Sequence, residues 1–247
     1  MNRANYAENR PTMRRAVFFY VESAGLSHCL PSMIACSPSL PPSPLPPGSL
    51  FELLAQYARS QPAAIACASR YRMASYRKIW SRIERATARL QGEWQVTPGD
   101  VVAYCGQGHP DALVLYLALV RCGARLWPLE HPGGPAVLAD HATGLPLKIV
   151  LFDDDGPQPR TVATALPLST LIGSHCPHEA QALFFDPAVP SLLAMDTDGK
   201  FIQYSLLQLQ AALPSGLQEV HGRLFDQDVL GPVVLATLAA GKTLVFR

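Results

Sequence analysis

The feature that most constrains this chain is the run "VVAYCGQGHPDALVLYLALVRCGARLWPLE", residues 101–130. "VVAYC" (101–105) is wholly apolar or aromatic and short enough for a buried strand. Gly106 to Gly108 turn the chain, Pro110 suits the first position of a helix, and Gly123 suits its end. The helix between them is apolar on nearly every side, so it must be covered on nearly every side. "RLWPLE" then reads as a second strand. Strand, buried helix and strand in this order form a βαβ unit, which places both strands in a parallel sheet.

The same alternation extends both ways. "SLFELLAQYARSQP" opens with Ser49 and Glu52 at capping-box spacing, carries an apolar stripe at Leu50, Leu53, Leu54 and Tyr57, and stops at Pro62. "AAIACA" (63–68) reads as a short buried strand. "SYRKIWSRIERATARLQ" reads as a helix with the stripe Tyr76, Ile79, Trp80, Ile83, Thr87 and Leu90, its opposite Arg/Lys face solvated. Downstream, "PAVLADHAT" reads as a short helix, "KIVLFD" as a strand, and "DDDGPQPR" as a loop. "VATALPLSTLIG" is ambiguous. "SLLAM" is a strand, "FIQYSLLQLQAAL" runs from strand into helix, "DVLGPVVLATLAAG" is a helix disturbed at Pro232, and "TLVF" is a last strand. An unpaired edge on that last strand would be a site of self-association.

Residues 1–48 differ in kind. Seven prolines lie between Pro31 and Pro47, which excludes helix and inner strand and predicts a disordered, extended segment. "MRRAVFFYVESAGLSHCL" has a basic start and an apolar middle, but Glu22 and His28 interrupt it, against a secretory signal. The expected division is therefore a proline-rich extension, 1–48, and one α/β domain, 49–247.

The 247 residues are 49% hydrophobic with a net charge of +1. That supports a sizeable core and gives no bulk field for nucleic acid or an anionic membrane. No apolar run reaches the ~18 residues of a membrane span. The six cysteines include no CxxC pair, which fits reduced thiols and a cytoplasmic location. Cys176 and His178 could hold zinc, but no second pair accompanies them, and no metal site is expected. "GQGHPDA" resembles a shortened dinucleotide fingerprint, and a tight strand-to-helix turn explains it without a ligand.

The order of elements resembles one family. "LFELLAQYARSQPAAIAC", "SYRKIW", "PGDVVAYC", "ALVRCGARLWPLEHP" and "AVLADHATGLPLKIVLFD" follow the succession of the AMP-binding, adenylate-forming enzymes, which include acyl-CoA synthetases and peptide-synthetase adenylation domains. The resemblance runs from about residue 49 to 247 and covers the first half of that family's fold. It implies a parallel, helix-flanked sheet like the family's N-terminal subdomain, here truncated.

In that alignment "SLLAMDTDGKFIQYS" falls on the family's phosphate loop. Such a loop uses glycines for close backbone approach, hydroxyls and N–H groups as donors, and a lysine for charge. Only Thr197, Gly199 and Lys200 could be nucleotide-binding remnants, and Asp196 and Asp198 would repel a triphosphate that has no metal. Read from the residues alone, "DTDGK" is a hairpin turn. The resemblance aligns His221 with a family histidine near the acyl pocket; read from the residues alone, it is a loop histidine. The family's adenine, ribose, magnesium and catalytic-lysine segments have no counterpart in these residues, and no Ser-His-Asp or Cys-His set replaces them, so no catalytic residue is expected. Two functions follow. One is a truncated, non-catalytic relative, an interaction or scaffold module or a gene fragment, needing no cofactor. The other is a ligase using ATP and magnesium, active only with a separately encoded second half.

Overall fold

The computed structural model describes residues 48–129, 144–161, 163–173, 178, 180, 186–196, 198–212, 214–221 and 223–247. All of them fall in one compact unit, Leu40–Arg247. The expectations for the proline-rich extension, for "PAVLADHAT", and for Cys176 and Thr197 lie outside the described residues.

Two sheets form where one was expected. The smaller has the order β2-β1-β10-β9, with β1 (Ile65–Ser69), β2 (Met73–Ser75), β9 (Glu219–Val220) and β10 (Leu244–Phe246). The larger has the order β6-β5-β3-β4-β7-β8. Its strands are β3 (Val101–Cys105), β4 (Arg125–Pro128), β5 (Leu147–Phe152), β6 (Thr164–Pro167), β7 (Pro190–Met195) and β8 (Phe201–Ser205). All its pairings are parallel except β7 with β8, which form an antiparallel hairpin. The terminal "TLVF" strand is not an edge. β10 lies parallel to β1 on one side and to β9 on the other, so among the described strands the open edges of the small sheet are β2 and β9.

Helix α1 (Leu50–Ser60) starts at Ser49, whose hydroxyl accepts from Glu52 N at 3.2 Å. Glu52 returns its bond to the N–H of Gly48, one residue earlier than an ideal capping box requires. Helix α2 (Tyr76–Gly92) buries Tyr76, Ile79, Ile83, Thr87 and Leu90 from the anticipated stripe. Helix α3 (Pro110–Cys122) is buried from Ala112 through Val120 and again at Cys122, as its all-round apolarity requires. The main core joins α1, α2 and α3 to residues from both sheets. Strand β3 is buried at every residue because both its faces are covered: Val102 and Tyr104 enter the main core, and Val101, Ala103 and Cys105 a smaller cluster behind the sheet.

The ambiguous stretch resolves into β6 and the short helix α4 (Leu168–Ile172), and β8 leads into α5 (Leu206–Gln210). The disturbance at Pro232 is a π-helical segment, Leu230–Leu235, between α6 (Gln227–Val229) and α7 (Ala236–Ala239). Proline has no N–H for the regular ladder, and the helix widens around it. α5 packs so closely here that a Cβ on Gly231 would lie 2.3 Å from the Leu209 carbonyl oxygen. Gly231→Ala should therefore destabilise the fold by about 1–3 kcal/mol through overpacking. Urea unfolding of both proteins measures this, and equal midpoints would show that the contact yields freely.

Candidate functional site at the carboxyl edge of the large sheet

In an open parallel sheet, ligands bind beyond the carboxyl ends of the strands where the winding direction reverses. Here the chain leaves β3 toward β4 on one side, and leaves β5 toward β6 on the other. The reversal lies between β3 and β5, and the loops that follow them, 106–109 and 153–157, flank the crevice. A cavity of about 840 Å³ opens there. The β1–β2 hairpin and the start of α2 close its far side.

Asp153 joins the two loops. Its carboxylate accepts the Gln107 N–H at 2.7 Å and lies 2.9 Å from His109 Nε2 and 2.6 Å from the Tyr104 hydroxyl. The Tyr104 oxygen is also 2.7 Å from the Gln107 carbonyl. His109 Nδ1 accepts from Asp111 N at 3.2 Å and so caps α3, which leaves the neutral ring's proton on Nε2, facing Asp153. The approach is close enough that a Cβ on Gly106 would lie 2.4 Å from Asp153 Oδ2. The glycine turn therefore seats a carboxylate of the chain itself, and no ligand is needed to explain it.

Burial alone would raise the Asp153 pKa, but the bonds from His109, Tyr104 and Gln107 outweigh it and hold the carboxyl below its ordinary range. Burial alone would lower the His109 pKa. The hydrogen bond and charge of Asp153, with Asp111 and Asp155 beyond, outweigh it and raise the imidazole above its usual value. Asp111 is held at 2.6 Å by Arg82, with Arg72 at 3.7 Å.

Cys67 and Cys105 also line the cavity, and burial pushes each thiol up to about 12. A thiol in that state is a poor nucleophile near neutral pH, and both nitrogens of His109 are engaged. The crevice therefore holds polar groups able to bind, without an activated nucleophile. Among the described residues no group of three or more His, Cys, Asp or Glu side chains could hold a metal ion.

The resembled phosphate loop lies on the same edge, at the tip of the β7–β8 hairpin. Asp196 closes it: its Oδ1 accepts Asp198 N at 2.9 Å and Lys200 N at 2.8 Å. Its carbonyl accepts Gly199 N at 3.1 Å, and its own N–H donates to the Lys200 carbonyl at 2.9 Å. Gly199 takes a φ of +77°, and the residue after it, Lys200, is exposed. The hairpin is pinned to the sheet by Phe201, whose ring meets Trp127 edge-on at 5.2 Å. His221 follows β9 of the other sheet. It is 65% exposed and pairs with Glu219 at 3.2 Å, beside Arg247. The structure does not bring His221 together with the 196–200 turn.

Sequence reading missed Asp153, His109 and Tyr104. The usable signal was a strand ending in aspartate, "KIVLFD", in the same sheet as a strand ending in a glycine turn, "VVAYCGQG".

A family model described as AMP-binding enzyme matches residues 54–175. Over those residues the chain is similar to the AMP-binding enzyme family. Over 81 residues the chain is 31% identical to a D-alanine–D-alanyl carrier protein ligase of Bacillus licheniformis, a match covering 33% of this chain and 16% of that protein. The fold matches unliganded o-succinylbenzoate coenzyme A synthetase (MenE) of Bacillus subtilis with a TM-score of 0.63, at 15% identity, over 78% of this chain and 43% of that one. It also matches the N-terminal subdomain of Klebsiella oxytoca NpsA, solved with 3-hydroxyanthranilyl-AMSN, with a TM-score of 0.63, at 18% identity, over 80% of this chain and 53% of that one. The architecture is that of the N-terminal subdomain of adenylate-forming enzymes, and the chain spans about half or less of the proteins it resembles.

The coupling between His109 and Asp153 makes the clasp pH-dependent. A raised histidine contributes stability that is full below its unfolded pKa near 6.5 and is lost as pH rises through the folded value. A depressed aspartate contributes stability above its unfolded value near 3.8 and loses it as pH falls through the folded value. The clasp should therefore hold best between those limits. The stability advantage of the wild type over His109→Gln should be larger at about pH 5.5 than at about pH 8.5, by less than ~1 kcal/mol because the imidazole is partly solvated. Chemical unfolding at the two pH values measures it, and an equal difference at both would show that the pair is not ionically coupled.

Proposed function

We propose that this chain is a non-catalytic relative of the acyl and aryl adenylate-forming ligases, a pseudoenzyme retained as an interaction or scaffold module. The observation that carries this reading is the hydrogen bonding of the 196–200 turn. A phosphate loop works because its N–H groups point at the ligand and lack other acceptors. In this turn the N–H groups of Asp198, Gly199 and Lys200 already have acceptors, all of them on Asp196. A phosphate entering the turn must displace a carboxylate from two N–H groups, at a cost of roughly 1.5–3 kcal/mol for each charge-assisted bond. The same carboxylate repels the incoming anion.

In this reading no cofactor is needed. The partner is a protein or a second copy of the chain, met at an open sheet edge, of which the described strands offer β2, β9, β6 and β8. The free thiols Cys67, Cys105 and Cys122 fit a reducing, cytoplasmic setting. Among the described residues no helix is long and apolar enough to cross a membrane.

The competing reading is an AMP-dependent ligase that works with a separately encoded second half, binding ATP and magnesium at Thr197, Gly199 and Lys200, with His221 near the acyl pocket. The ligase and synthetase names of the relatives favour it. Calorimetric titration of ATP, with and without magnesium, separates the two. We expect no binding tighter than about 1 mM and no change with Lys200→Ala. A micromolar Kd, about −8 kcal/mol, that Lys200→Ala abolishes would establish the ligase reading.

A further inference from the structure

Residues 70–89 hold seven basic residues and one acidic residue, in a chain whose net charge is +1. Two of the seven are committed to the fold. Arg82 holds Asp111 at 2.6 Å, and Arg89 reaches Glu93 and the carbonyls of Thr170 and Leu171. Arg70, Arg72, Arg77 and Lys78 are exposed on the β1–β2 hairpin and the first turn of α2, a turn without an acidic residue. Arg77 and Lys78 share a depression of about 480 Å³ with Ser75, Ser81 and Arg85. The hairpin also presents two large apolar side chains to solvent, Tyr71 at 82% and Met73 at 68% exposure. Its backbone is poised to pair. Ser69 N donates to the Arg72 carbonyl at 2.8 Å. In an antiparallel ladder the next pair, Ala68 with Met73, then turns its N–H and C=O groups outward. Ala68 lies beside Val245 of β10, whereas no described strand lies beside Met73.

We propose that the β2 edge docks an extended, acidic segment of a partner protein as an added strand. The segment's backbone bonds the N–H and C=O of Met73, an apolar side chain covers Tyr71 and Met73, and its carboxylates meet Arg70, Arg72, Arg77 and Lys78. Tyrosine, methionine and arginine are the residue types enriched where proteins meet. Charge decides between occupants. Exposed edges are commonly blunted by charge, and here the charge has one sign, so it rejects basic segments and admits acidic ones. A second copy paired edge to edge at β2 would bring like charges together. A nucleic acid would answer the charges but cannot extend the ladder. The proposal rests on the reading of this chain as an interaction module and names the partner. It does not involve the Asp196 turn, so ATP binding and segment binding can each fail alone.

The test is fluorescence anisotropy of the whole chain with a labelled, end-blocked peptide, Asp-Glu-Val-Thr-Ile-Glu-Asp-Glu. The controls are the same peptide with lysine for every acid, the acidic peptide with proline for its threonine, and an oligothymidylate of similar charge. The acidic peptide should bind roughly tenfold more tightly than each control, and less tightly at high salt. The triple variant Arg70→Gln, Arg77→Gln, Lys78→Gln should weaken it about tenfold, and so should Tyr71→Ser with Met73→Thr. Lys148→Gln, which removes an exposed cation at the start of β5, should leave it unchanged. All these side chains are exposed, so unaltered thermal unfolding will show that the variants fold. In amide NMR the Met73 N–H should become protected from solvent exchange when the peptide is bound. Four results overturn the proposal: an acidic peptide no tighter than its controls, an oligothymidylate that binds as well, a Met73 amide left unprotected, or protection of that amide by self-association without peptide.

Discussion

Aspartate carboxylates accept loop and helix-start N–H groups at the carboxyl edge of the large sheet, and the character of that edge depends on them. Asp153 accepts Gln107 N, Asp154 accepts Ser169 N, and Asp196 accepts Asp198 N and Lys200 N. Loop N–H groups need acceptors as strictly as those within strands. At this edge of an α/β fold, a bound anion can be the acceptor. In this chain the acceptor is covalently attached, always present and already charged. Among the described residues these N–H groups have carboxylates of the chain as their acceptors.

The packing of the fold does not depend on these carboxylates. The core depends on α3, an apolar helix buried among α2 and both sheets, and nothing in that packing involves nucleotide chemistry. A sheet of this kind can persist while the residues at its edge change, because edge residues contribute little to the core. The partners of Asp153 come from β3, the loop after it and the residue that caps α3, so this carboxylate ties those parts of the crevice together.

Much of the fold was legible in the sequence because its signals are local. Capping by Ser49, the stripe of α2, the all-round apolarity of α3 and the breaker at Pro232 each act within a few residues, and each appears at its expected place. What was not legible depends on long-range pairing. β2 and β9 have only three and two residues, too short to show a period, and they exist because β1 and β10 offer edges to pair with. "TLVF" gave no sign of having neighbours on both sides, since strand order is not encoded within a strand. Asp153 was hidden for the same reason: as sequence it is one of three aspartates in a loop, and only the adjacency of β5 and β3 brings it to Gln107, 46 residues away. The turn at 196–200 was legible as a turn, but the direction of the Asp196 side chain was not.

Whether Asp196 holds the turn's N–H groups, and keeps holding them when a nucleotide is offered, can be observed directly. NMR on isotopically labelled protein can detect couplings across the hydrogen bonds from the Asp198 and Lys200 amide nitrogens to the Asp196 carboxyl carbon. Both couplings should be present, and both should persist in millimolar magnesium–ATP with the amide shifts of residues 198–200 unmoved. Loss of the couplings as ATP is added, with those amides shifting together, would show that phosphate displaces the carboxylate and that the turn is a working nucleotide loop.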